Sequence, residues 1–222
     1  MDNEFLLGLL EIILINIVLS GDNAVVIALA CRNLDAKYQK KAVFLGSFGA
    51  IALRVALTFV AVYLLQIPFL NFIGGLLLLW IAIKLLKGED EENVEASSNL
   101  MGAIKTIIFA DLIMSLDNVV AVAGAANGNM LLILIGLAIS IPLIIWGSQL
   151  LMAIMGKFPI IVILGAGLLG YTAGEMIMSD KAIGHFFEEL SPTLHTILPI
   201  ILAIFVIVVG KFTGNSKRVQ HN

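Results

Sequence analysis

Charge is scarce in this chain. Asp, Glu, Lys and Arg make up 13% of 222 residues, about half of what soluble globular domains carry. The net charge is −3, so no nucleic-acid partner is expected. The single cysteine, Cys31, excludes an internal disulfide and reads as a small apolar residue at a helix end. Histidine is almost as rare. His185 and His195 have no second metal-ligating residue at useful spacing, so an imidazole-based metal centre is not expected. What fills the space is apolar: 60% of residues are hydrophobic and the mean hydropathy is +1.05. Apolar runs of about 18 residues or more read as membrane-crossing helices. The lipid bilayer is therefore the first partner that the composition implies.

The runs predict an all-α, polytopic membrane protein with seven transmembrane helices, at 4–30, 41–66, 69–87, 101–126, 129–151, 158–178 and 193–213. Pro68, Pro159 and Pro192 fall at or near helix starts, where a missing N–H costs least. The opening residues MDNEFLLG carry two acids and no Lys or Arg, so the first run reads as a retained helix rather than a cleaved signal. Cytoplasmic loops collect positive charge. With the N-terminus outside and the C-terminus inside, 11 of the 13 Lys and Arg lie inside, Lys181 alone lies outside, and Arg54 sits within a span. Residues 88–100 read as an acidic cytoplasmic linker, and 179–192 as an external loop whose AIGHFFEEL stretch suits a short interfacial helix.

A repeat organises these spans. ILINIVLSGDNAVVIALA at 13–30 aligns with IFADLIMSLDNVVAVAGA at 108–125, an offset of 95 residues. Four polar positions match in register: Asn16 with Asp111, Ser20 with Ser115, Asp22 with Asp117, and Asn23 with Asn118. FLGSFGAIAL (44–53) lies more loosely on LIGLAISIPL (134–143), and FIGGLLLLW on ILGAGLLGY. The expected architecture is a 3+3 inverted repeat: residues 1–87, then 101–178 upside down, then an extra helix and cytoplasmic tail at 193–222. Transporters built this way bind their substrate near the midplane, between the repeats. At about 1.5 Å per residue, Asp22 and Asp117 fall roughly 6–8 Å on opposite sides of the midplane, with Asn16 and Asp111 close to it.

An intramembrane acid is costly and marks an ion route by default. The candidate ligands are carboxylates of Asp22, Asp111 and Asp117, amide oxygens of Asn16, Asn23 and Asn118, and hydroxyls of Ser20 and Ser115. Oxygen ligands of this kind suit hard cations such as Mn²⁺, Mg²⁺ or Ca²⁺. Asn16 and Asn23 share a helix face, as do Asp111 and Asn118, while Gly21 offers a place to relax the first helix. An acid in a low-dielectric site also suits proton-coupled exchange. Arg54 in mid-span requires a carboxylate partner and would supply charge balance. Glu11 reads equally as that partner or as an outer waystation. Glu175 is a weaker candidate for the route, and Lys84 reads as snorkelling to the cytoplasmic surface.

With NIVLSGDNAVVIA and DLIMSLDNVVAVA each opening one half of a seven-span chain, the sequence resembles the TerC family of integral membrane proteins over nearly its whole length. The resemblance implies Mn²⁺ export across the bacterial cytoplasmic membrane, with Mn²⁺ as the transported ion and no resident cofactor. It carries Asp22, Asn23, Asp117 and Asn118 over as the paired motif, with Asp111 six residues before the second. Asn16 departs from the pattern, since relatives can hold an acid there. Two rival readings use other chemistry. A solute exporter of the LysE type would need a cation and an anion binder together, which Arg54 and an Asp could supply. An intramembrane aspartyl protease would resemble G-x-G-D, but residues 19–22 are Leu-Ser-Gly-Asp. The first glycine is missing, and no enzymatic activity is expected. The sequence is compatible with a homo-oligomer.

Overall fold

A computed structural model describes residues 21–64, 67–88, 96–125, 130–191 and 193–218. Among these the chain is helical, without a strand. The helices are α1 (Gly21–Cys31), α2 (Ala36–Leu64), α3 (Leu70–Lys87), α4 (Ala96–Ala125), α5 (Met130–Lys157), α6 (Ile160–Ser179), α7 (Ile183–Leu190) and α8 (Leu194–Arg218). In lipid every backbone N–H and C=O must be satisfied within the protein, and a helix does this within one segment. Five of the helices carry stretches long and apolar enough to cross a membrane: Ala36–Val60, Leu70–Lys87, Leu134–Lys157, Ile160–Ser179 and Leu194–Phe212. In the described residues α1 is a shorter apolar helix. The 30-residue α4 carries Lys105, Asp111 and Asp117.

Several boundaries differ from expectation. Helix α2 begins at Ala36 rather than 41, because Asp35 starts it: the Asp35 carbonyl accepts from Tyr38 N (2.8 Å) and Gln39 N (2.9 Å). Lys37, Lys40 and Lys41 therefore stand on the helix, exposed, rather than in a loop. Helix α4 begins at Ala96, inside the expected 88–100 linker. Helix α5 continues to Lys157, where Phe158-Pro159 ends it, since the residue before a proline disfavours the helical conformation. The short helix expected in the 179–192 loop is α7.

Large apolar side chains cover the outside of the bundle as well as filling its core. Phe44, Phe48, Phe59, Trp80, Trp146, Phe158, Phe205 and Phe212 are all exposed, a band of apolar surface that marks contact with membrane. Helix α6 is central and α8 peripheral. Half of the residues in the α6 span are buried, against 17% in α8.

The packing order gives the helix directions. On α2 and α4, Gly46 meets Ile107, Gly49 meets Ile108 and Arg54 meets Asp111 and Ser115. Both sets of numbers rise together, so these helices run parallel. Helices α3 and α6 run antiparallel. Asn71 Nδ2 donates to Ser179 Oγ (3.4 Å), and Gly75 lies against Ala173 and Ile177. Helix α8 is antiparallel to α6, with Gly167 against Ile207, Gly170 against Val206 and Gly174 against Pro199. A Cβ at Gly170 would stand 2.8 Å from the Leu202 carbonyl. Small residues allow such backbone approach, which is how helices associate where lipid gives no hydrophobic drive.

Between the two groups of three, α1 packs on α4, α5 and α6, α2 on α4 and α5, and α3 on α4 and α6. One polar latch ties the end of this bundle. Asp180 is buried and follows α6. Its Oδ1 accepts from Ala182 N (3.0 Å) and Ile183 N (3.2 Å), starting α7. Its Oδ2 accepts from Phe72 N (3.2 Å), an orphan donor at the start of α3.

Candidate functional site

The site forms where α2, α4 and α1 meet. Asp111 and Ser115 are four residues apart on α4 and so share a face. Arg54 comes from α2 and is 3% exposed. Its Nη2 donates to Asp111 Oδ1 and pairs the two charges. Its Nε donates to Ser115 Oγ at 2.8 Å. The Ser115 hydroxyl donates in turn to Asp111 Oδ2 at 3.2 Å. Arginine, serine and aspartate thus close a ring, with the hydroxyl both accepting and donating. Charge-assisted bonds of this kind are the strong ones, and a buried guanidinium requires them. One turn on, Thr58 Oγ1 donates to the Arg54 carbonyl at 2.9 Å, fixing the turn from which the arginine projects.

Helix α1 brings the other acid. Asp22 is half-buried in its first turn, and its Oδ1 accepts from the Asn23 N–H at 2.8 Å. It interacts electrostatically with both Arg54 and Asp111. Asn23 is buried. Together with Val26, Ile27, Ile107 and Asp111 it lines a cavity of about 10 Å³, room for about one water molecule. Asp111 therefore borders the Arg54 guanidinium and also this cavity. The arrangement offers a carboxylate and an amide oxygen to one small hard guest, inside apolar walls that raise the electrostatic stakes.

No solved structure matches the chain. Residues 1–218 match the family described as integral membrane protein TerC family. The chain belongs to the TerC family. Among its relatives, the uncharacterized membrane protein YjbE of Bacillus subtilis (strain 168) is 48% identical over 209 residues, covering 94% of this chain and 95% of YjbE. The uncharacterized membrane protein YceF of the same organism is 26% identical over 213 residues, covering 91% of this chain and 80% of YceF. YegH of Escherichia coli (strain K12) is 28% identical over 178 residues, 71% of this chain but 34% of YegH.

In this TerC chain the expected site residues divide clearly. Asp22, Asn23, Asp111, Ser115 and Arg54 come together. Asn118 is half-buried on α4, seven residues from Asp111 and on its face. Asp117 is on α4, with its side chain outside the described residues. Glu11, Asn16 and Ser20 also lie outside them. Glu175 is exposed on α6, where it interacts with Tyr171, apart from this cluster. Lys84 places its Nζ 5.7 Å from the Trp80 ring centroid, a cation–π contact in addition to any reach toward the surface. Among the described residues no three His, Cys, Asp or Glu side chains gather into a metal-holding group. Thr58, Asp180 and the apolar cavity wall were missed in the sequence. Only Thr58 carried a usable signal, four residues beyond an intramembrane arginine.

Proposed function

We propose that this TerC-family protein is a divalent cation carrier that exports Mn²⁺ across the bacterial cytoplasmic membrane, with no enzymatic activity. The observation that carries the reading is the small cavity where α1 of the first half meets α4 of the second, which holds Asn23 and Asp111 among apolar side chains. Asp111 and Asn23 face it, and Asp22 lies within electrostatic reach. Buried acids at the junction of two halves suit a route for a hard cation. The carboxylate and amide donors suit Mn²⁺, Mg²⁺ or Ca²⁺, and the choice of Mn²⁺ and of the outward direction rests on the family resemblance. The alternation of the spans is supported by the parallel α2–α4 and antiparallel α3–α6 pairs, and the N-terminus outside by the positive-charge distribution alone. Asp117 and Asn118 would complete the ligand set on α4, mirrored by Asp22 and Asn23. Arg54 commits Nε and Nη2 to Ser115 and Asp111, which speaks against its serving as the anion binder of an amino-acid exporter.

The test is Mn²⁺ flux into proteoliposomes read by an internal dye, with Asp22→Asn and Asp117→Asn beside wild type and with Mg²⁺, Ca²⁺ and Zn²⁺ as competitors. Flux lost in both variants and resistant to excess Mg²⁺ is the expected outcome. Unchanged flux in folded variants would make the Asp-Asn pairs structural, and absent flux in folded wild type would refute the carrier reading.

A further inference from the structure

We propose that Arg54 is a tethered counter-cation of the cation site. Its guanidinium neutralises Asp111 when no ion is bound and competes with the arriving ion for that carboxylate. It thereby sets the affinity and allows the empty carrier to return. The inference rests on the carrier reading above.

Three observations support it. The first is geometric: Asp111 faces the guanidinium and the Asn23 cavity at once. A carboxylate offers about four acceptor positions. The ring with Arg54 and Ser115 uses one on each oxygen, so acceptor positions remain for an ion. The second is the charge count. Asp22 and Asp111 both interact with Arg54 and with each other, so two acids face one arginine. Without the arginine these acids have no fixed positive partner within the trio, and uncompensated buried charge is costly.

The third observation comes from the repeat. Continuing the alignment of the second helices by one residue sets Ile144 against Arg54, while Asn16 stands against Asp111. Ile144 is buried beside Ile27 and Ile107. In the alignment, the positions corresponding to this charged pair are thus an apolar residue and an amide. A strut needed only for packing has a neutral solution already present in the same chain. The arginine occurs where its mirrored acid occurs, which ties it to the acid's charge rather than to the helix crossing.

The experiment compares net Mn²⁺ flux with exchange of labelled Mn²⁺ against unlabelled Mn²⁺, in proteoliposomes of the full chain, alongside Mn²⁺ titration in detergent. Exchange needs only the loaded carrier to move; net flux also needs the empty one to return. In Arg54→Ile, Mn²⁺ binding is expected to tighten by about tenfold or more. Exchange should persist while net flux falls by at least about tenfold. The double variant Arg54→Ile with Asp111→Asn reproduces the mirrored neutral pair. It should bind more weakly yet regain the wild-type ratio of net flux to exchange. Wild-type affinity and ratio in Arg54→Ile would overturn the proposal, as would a lost ratio that persists in the double variant. If Arg54→Ile does not fold, Arg54→Lys decides: it keeps the charge, so an intact ratio supports the proposal and a lost one overturns it. Failure of folded wild type to bind Mn²⁺ would overturn the carrier reading itself, and that is seen before any variant is compared.

Discussion

Removing Asp111 should destabilise this protein more than removing Asp111 and Arg54 together. In Asp111→Ala the guanidinium stays in a place where Arg54 is 3% exposed, with Ser115 Oγ its remaining partner in the ring. Breaking a buried pair from one side costs about 3–5 kcal/mol, because the surviving charge is left uncompensated. For a chain of this size that corresponds to a drop in Tm of roughly 6–20 °C. Replacing both partners by apolar residues of similar volume, Arg54→Met with Asp111→Leu, removes the buried charge altogether and is often neutral or stabilising. Ser115→Ala should fall between, at about 1–3 kcal/mol, since it strands Nε and one Asp111 oxygen without touching the charge pair. Thermal unfolding in detergent, followed by loss of the monodisperse chromatographic peak, ranks the four proteins directly. An Asp111→Ala protein as stable as wild type would mean the pair does not form. A double variant as damaged as the single one would mean that the damage is a packing defect and not an orphaned charge.

Two further outcomes test the frame around the site. Asp180→Ala removes the acceptor shared by Phe72, Ala182 and Ile183; loss of a helix cap costs about 0.5–2 kcal/mol. Amide exchange should therefore quicken at 182, 183 and 72 while the Arg54 region stays protected, and unchanged exchange would remove the latch. For orientation, Lys181→Cys should react with an impermeant maleimide applied outside intact cells, and Lys37→Cys only after permeabilisation, both in a Cys31→Ala background. The reverse pattern would invert the proposed topology.

Much of this architecture was legible because lipid imposes a simple rule. A long apolar run has one stable solution, so α2, α3, α5, α6 and α8 could be read from hydropathy alone. Their ends could not, because local chemistry decides them. Asp35 starts α2 early, and Phe158-Pro159 ends α5 late. The ligand-bearing residues were legible for the same reason: Asp22, Asp111 and Arg54 are anomalies in their surroundings. Their pairing was not legible. Sequence required a carboxylate for Arg54 without naming which, and read Glu11 equally as that partner or as an outer waystation, since partner choice depends on which helices lie side by side. Only the α2–α4 contact, made close by Gly46 and Gly49 against Ile107 and Ile108, brings Arg54 to Asp111. Glu175, the weaker candidate in sequence, is exposed on α6, because periodicity within one helix does not reveal which face is covered.

The contacts between the halves fit the proposed inverted repeat, whereas those within them do not follow the exchange: α1 packs on α2 and α3, but among the described residues α4 forms no extended contact with α5 or α6. Exchanging the halves turns α1 into α4, α2 into α5 and α3 into α6. Under that exchange the contact of α1 with α5 becomes the contact of α4 with α2, and α1 with α6 becomes α4 with α3. All four are present. The pairs α1–α4, α2–α5 and α3–α6 map onto themselves, as pairs straddling a twofold axis should, and these are also present. The two remaining combinations, α2 with α6 and α3 with α5, map onto each other, and among the described residues neither forms an extended contact. A twofold axis along the membrane normal would satisfy the same exchanges, but it would make related helices run parallel. Helices α3 and α6 run antiparallel, with Asn71 beside Ser179 and Phe72 beside Asp180. An antiparallel α3–α6 pair is what the proposed in-plane axis requires, and under that proposal Asp22 and Asp117 would fall at mirrored depths.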